Sequence, residues 1–257
     1  GMSLGTLSLS GIPSLRRDLP GGIRWPSFQQ VPHAFCYRCP VGLTRERCDL
    51  QCAKALEAAI LNATSGHVAA LIMEVVQGPG GHIEFPREYY REVQRICRAH
   101  DVMLIVDEVQ TAAGRCGKMF ASELYDVQPD VLIIGKAFGG GFPFGAAIFR
   151  DDMVLPGMED AAWHSLTFQN GPLQAAAGLA VLAVIQEEGL AERAVAIGQR
   201  SRQVLTELAS QHEVIGEVRG PGAFIGIDLV KDRQTREPAI EATQKGLLYA
   251  LERGLLT

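Results

Sequence analysis

The 257-residue sequence has no block of like charge, no long hydrophobic run and no periodic glycine pattern. Its 24 Lys and Arg are scattered among 29 Asp and Glu, for a formal charge of -5. A nucleic-acid-binding chain gathers basic residues on one stripe or face, so that class is excluded. The longest apolar stretches, Val68 to Met73 and Leu179 to Ile185, fall far short of the roughly 20 residues that cross a bilayer. No membrane span is expected. The start, Gly1-Met2-Ser3-Leu4, lacks the basic region and hydrophobic core of a secretory signal, which makes a cytoplasmic location the default expectation. The 28 Gly and 13 Pro follow no period, which excludes collagen-like and low-complexity chains. Six cysteines do not require a disulfide scaffold here, because a composition 47% hydrophobic can build a core without one.

What is present is an alternation of short apolar runs with helical patterns. The first 35 residues or so carry turn signals such as Asp18-Leu19-Pro20-Gly21-Gly22 and no sustained period, and read as connecting structure. Leu56, Ala59, Ile60 and Ala63 recur at helical spacing, and Pro86 to His100 has the proline start and basic end of a helix. Buried strands are expected at Val68–Val75, Val102–Val106, Val131–Ile134 and Ala146–Phe149. Such runs point to an α/β sheet buried on both faces. Helices follow from Pro172 to Glu188 and from Leu190 to about Gln211, then strands near Val214–Val218 and Ala223–Leu229 and a last helix at Ala239–Arg253. A boundary near Gly189 divides a large domain, 1–188, from the opening of a smaller α+β domain, 189–257.

Open α/β sheets place ligands at the carboxyl ends of their strands. Three expected strand ends carry Glu74, Asp107 with Glu108, and Lys136, the last followed by Gly139-Gly140-Gly141. Lys136 has two readings: a lysine snorkelling to the surface, or one used chemically. Glu74 likewise reads as a solvated carboxylate or as part of a site. Gly139-Gly140-Gly141 alone is a weak nucleotide signal, since no Gly-x-Gly-x-x-Gly follows a first strand.

The run Leu104-Ile105-Val106-Asp107-Glu108-Val109-Gln110-Thr111, then Gly114-Arg115, then Asp130 to Lys136 with the triple glycine, closely resembles the signature of class III, fold type I, pyridoxal-phosphate-dependent aminotransferases. The likeness extends over essentially the whole chain, from Gly5–Gly11 to Val218-Arg219-Gly220-Pro221-Gly222, with features of ω-amino acid, 4-aminobutyrate and dialkylglycine decarboxylase types. It implies a mostly parallel α/β sheet, pyridoxal 5'-phosphate, and amino transfer between an amine or ω-amino acid and a keto acid such as pyruvate or 2-oxoglutarate. Lys136 would form the Schiff base and move the substrate proton. Asp107 would keep the pyridine nitrogen protonated, so that the ring accepts electron density. Val109 would pack on the ring and Gln110 would bond near its hydroxyl.

The resemblance also implies that Thr167 reaches the cofactor phosphate of a neighbouring subunit, in a homodimer with shared active sites. Without it, Thr167 reads as an ordinary helix N-cap. Glu74 would face the substrate side. Ala112-Ala113 stands where the family commonly has Gly-Phe, and Gly135 where it has Ser or Ala, departures of packing rather than chemistry. Against the family pattern the chain is expected to be truncated at both ends, so a scaffold without turnover stands as the alternative, with decarboxylating transamination and aminomutase chemistry as alternatives within the family.

Cys36, Cys39, Cys48 and Cys52 have a spacing compatible with a zinc or iron-sulfur site, but free thiols are the favoured reading and no metal is assigned. His33, His67, His82, His100 and His212 read as surface or packing residues, and His164 as an interface or cofactor-side position or a structural one. Arg219 reads as fixing a turn.

Overall fold

Pro86 ends an extended segment and opens helix α3, Arg87–Ala99, with Glu88 in its first turn and Arg98 in its last, charges that complement the helix dipole. Tyr89, Tyr90, Val93, Ile96 and Cys97 form its buried stripe. That stripe lies beside α2, Gln51–Asn62, which buries Cys52, Ala53, Leu56 and Ile60. The Tyr90 hydroxyl donates to the Val75 carbonyl at 2.6 Å and accepts from the Phe85 amide at 3.1 Å, so a fully buried phenol has both roles filled.

In the computed structural model, residues 3–12, 27–154, 156, 157, 167 and 169–256 are described. The main sheet has the order β1-β4-β5-β6, built from Ala70–Glu74, Met103–Asp107, Val131–Gly135 and Gly145–Phe149. β1, β4 and β5 are parallel, and β6 runs antiparallel to β5. A two-strand ribbon, β2 (Val76–Gln77) with β3 (Ile83–Glu84), follows β1. Helices α4, Pro172–Glu187, and α5, Leu190–Gln211, lead to an antiparallel pair, β7 (Ile215–Arg219) and β8 (Gly226–Leu229), and then to α6, Ile240–Glu252. The α/β class and the mostly parallel large sheet are as expected from the sequence, with a small antiparallel region after it.

Two expectations fail. The first 35 residues contain a helix after all, α1 at Leu4–Leu9, because Ser3 and Thr6 form a reciprocal capping box that nucleates a short turn without any apolar period. Nor are all four strands buried on both faces. β4 and β5, in the middle, bury Leu104, Val106, Val131, Leu132 and Ile134, whereas β1 is half-buried and β6 presents Ile148 and Phe149 at the sheet margin. Apolarity sets which residues prefer burial; the position of a strand in the sheet order decides which obtain it.

Candidate active site

In-register pairing of β1 with β4 brings Glu74 level with Asp107, and Asp107 pairs with Ile133 on β5, two residues before Gly135. Lys136 follows at once, opening a tight turn over Lys136–Gly139. The polar ends of three adjacent parallel strands therefore converge on one edge. Asp107 Oδ1 accepts the Val109 amide at 3.0 Å, which folds the chain back over the strand end. Lys136 is exposed and has a φ of +46°, a left-handed conformation uncommon for any residue with a Cβ. Its exposure fits snorkelling, and its position sets it beside Asp107 and Glu74.

Glu74 stands level with Asp107, on the outer strand of the three. Its Oε2 accepts the Gly78 amide at 2.9 Å. Burial pushes its carboxyl above the ordinary range and the Asp107 charge adds to this, while the Gly78 hydrogen bond and Lys136 pull it back. Gln110 lies against the same turn: a Cβ on Gly78 would stand 1.9 Å from Gln110 Oε1 and 3.4 Å from Glu74 Oε2. Gln110 Oε1 is buried with no hydrogen-bond partner, which a buried amide oxygen tolerates poorly. Val109 packs toward Gly135, where an added Cβ would meet the Phe144 carbonyl at 3.1 Å and Val109 Cγ1 at 3.5 Å. That crowding accounts for glycine at 135.

Thr167 lies exposed in a turn, and α4 is capped by Gly171 with Pro172 at its first position, so the N-cap reading of Thr167 fails. Its neighbours 161–166 and 168, His164 among them, fall outside the described residues. All six cysteines are free thiols, and among the described residues no three His, Cys, Asp or Glu side chains come together as metal ligands. Burial pushes the Cys36 and Cys52 thiols up, disfavouring the thiolate.

Two features escaped the sequence reading. Glu108, noted only as a strand-end acid, is fully buried and accepts hydrogen bonds from Thr111 Oγ1 at 2.7 Å and from the Ala121 and Ser122 amides at 2.8 and 2.7 Å. Arg219 does more than fix its own turn: it donates to Glu217, to Asp228 and, through Nε, to the Gly81 carbonyl at 2.9 Å, with its guanidinium 4.9 Å from the Phe35 ring centroid. Nothing in the local sequence signals either arrangement.

The mixed α/β sheet and its strand-end lysine and carboxylates define a fold type I architecture, and solved structures of that kind superpose closely. An amine transaminase from an uncultivated Pseudomonas species, in its PLP-bound internal aldimine form, matches with a TM-score of 0.89 at 32% identity, over 100% of this chain and 60% of that one. The chain belongs to the class III aminotransferases: the model of that family matches residues 1–255. It is 36% identical to the leucine/methionine racemase of Thermococcus litoralis, over 100% of this chain and 57% of the racemase. To the diaminobutyrate–2-oxoglutarate aminotransferase of Rhizobium meliloti it is 40% identical, over 90% of this chain and 48% of that enzyme. The chain thus spans about half the length of these relatives. Pyridoxal phosphate is the cofactor of the family, and the residues here fit it: an unpartnered amide oxygen, a free amine on a strained turn and a carboxylate meet at one edge.

Proposed function

We propose that the protein exchanges an amino group between an amine or ω-amino acid and a keto acid, pyruvate or 2-oxoglutarate, with pyridoxal phosphate held at the edge formed by β1, β4 and β5. The observation that carries this reading is the convergence of Glu74, Asp107 and Lys136 at the carboxyl ends of neighbouring parallel strands. When bound, pyridoxal phosphate supplies an aldehyde and an electron sink. Lys136 Nζ would hold the aldehyde and then remove and return the substrate proton. Asp107, with one oxygen occupied by the Val109 amide, would keep the pyridine nitrogen protonated. Val109 would flank the ring and Gln110 would bond beside its hydroxyl. Glu74, half-buried and within electrostatic reach of Asp107 and Lys136, would line the substrate side.

The same proposal includes a homodimer in which the exposed Thr167 reaches the phosphate held by a second copy, a division into domains near Gly189, and a cytoplasmic location. Among the described residues no single helix is long and apolar enough to cross a membrane.

A second reading is favoured by the racemase relative, which matches across the whole chain. A lysine that removes and returns a proton serves inversion at an amino acid carbon as well as amino transfer. The deciding experiment takes the purified chain with pyridoxal phosphate. Visible absorbance that persists on dialysis, is lost on borohydride reduction as the cofactor becomes covalently fixed, and is absent in Lys136→Ala is the expected result; a colourless protein sinks the proposal. Supplied with amines plus pyruvate or 2-oxoglutarate, transamination yields the new amino acid, whereas inversion yields the mirror-image amino acid with no keto acid required. A coloured protein that does neither is the scaffold.

A further inference from the structure

Glu108 has no part in the chemistry above, yet its side chain is fully buried beside that chemistry. An isolated carboxylate in such a place is strongly disfavoured; one that accepts several N–H and O–H donors is stable and rigid. Here Oε2 accepts from Thr111 Oγ1 and the Ala121 amide, and Oε1 accepts from the Ser122 amide. The backbone of Glu108 is held as well, its amide donating to the Ile133 carbonyl on β5 at 2.9 Å and its carbonyl accepting from Ala112 at 3.1 Å. The donors come from two places, the loop after β4 and the start of the tight turn Ala121–Tyr125. That turn is preceded by Phe120, whose ring stacks at 6.4 Å on Phe138, a buried member of the Lys136–Gly139 turn. A continuous set of contacts therefore runs from the Asp107–Val109 bend, through the Glu108 carboxylate and the 120–125 segment, to the turn that carries Lys136.

We propose that Glu108 is a positioning residue, whose carboxylate holds the Asp107 bend and the Lys136 turn in one frame. The inference rests on the cofactor roles proposed for those two residues. Three donors converge on the site, so it calls for acceptors alone. In Glu108→Gln the amide nitrogen faces the Ala121 N–H if it takes the Oε2 place and the Ser122 N–H if it takes the Oε1 place, and either arrangement leaves two donors opposed. Thr111→Val removes one donor and leaves the other two in place.

The test compares wild type, Glu108→Gln and Thr111→Val by amide hydrogen exchange without cofactor, then by pH titration of the visible band with pyridoxal phosphate. Glu108→Gln is expected to raise exchange about tenfold not only at Ala121 and Ser122 but also at Val109 and at Gly140, whose amide closes the Lys136 turn, with the β1–β4 ladder unchanged. With cofactor, the midpoint of the visible band is expected to shift, which loss of a merely local cap does not produce. Thr111→Val gives the same pattern in smaller degree and decides the matter if Glu108→Gln fails to fold. Loosening confined to Ala121 and Ser122, or an unmoved midpoint, overturns the proposal. If wild type takes up no cofactor, the functional reading fails, while the exchange comparison still tests the frame.

Discussion

Two polar clusters in this molecule are built on opposite terms. The ion cluster between the N-terminal segment and the β7–β8 pair is saturated: Asp228, nearly buried, receives a bidentate pair from Arg38 at 2.7 and 2.8 Å and a further contact from Arg219, which also reaches Glu217 and the Gly81 carbonyl. At the strand-end edge the same residue types are left open. Lys136 is exposed in a strained turn, Gln110 Oε1 has no partner, and Glu74 accepts the Gly78 amide while burial disfavours its charge. A saturated cluster spends its polar groups on holding the chain, and an open one keeps them for a ligand. The two meet at one short turn, since Arg219 grips Gly81 and Glu74 grips Gly78.

Breaking the saturated side has the largest effect. Asp228→Ala leaves two arginine guanidiniums without their shared carboxylate, and a loss of about 3–5 kcal/mol in urea-unfolding stability is expected. Pyridoxal phosphate uptake by the fraction still folded should persist; uptake lost in parallel with stability would show that the two clusters do not divide the work.

Crowding the open side comes next. Gly78→Ala places a methyl 1.9 Å from Gln110 Oε1, so the amide must leave its place. The expected cost is about 1–3 kcal/mol of overpacking, with weaker cofactor uptake as the larger symptom. Calorimetry paired with cofactor titration checks both, and unchanged uptake would remove Gln110 from the site.

The smallest change is read through pH. Because the folded pKa of Glu74 is raised above its unfolded value, the native state holds that proton more tightly. Its stabilising contribution is complete below the ordinary carboxyl range and is lost as pH rises through the raised value. Glu74→Gln removes this dependence, so its stability relative to wild type should improve across that window, measured by denaturation at a series of pH values. A difference that does not vary with pH would place Glu74 in an ordinary solvated setting.

Most helices and strands were legible as periodic apolar segments. Pro86, Pro172 and Gly189 punctuate helices where the sequence suggests, and α5 covers Leu190–Gln211 as expected. α1 escaped because a six-residue helix set by a cap has no period to detect. The apolarity of β6 suggests burial because hydropathy is a property of residues, whereas exposure depends on which strand stands beside which. Among site residues, Asp107 and Lys136 were visible as charges ending apolar strands. The pressure of Gln110 on Gly78 was not, because it joins loops that follow different strands.

Composition and periodicity by themselves determined an acidic α/β chain with charged residues at three strand ends, since local propensity and burial preference are written residue by residue. The tertiary structure alone decided that Glu74, Asp107 and Lys136 share one edge, that Glu108 is sealed from solvent, and that Arg219 reaches back to Gly81. Parallel strand order and register bring together residues far apart in the chain, and only that packing determines which polar groups find partners and which remain free to bind.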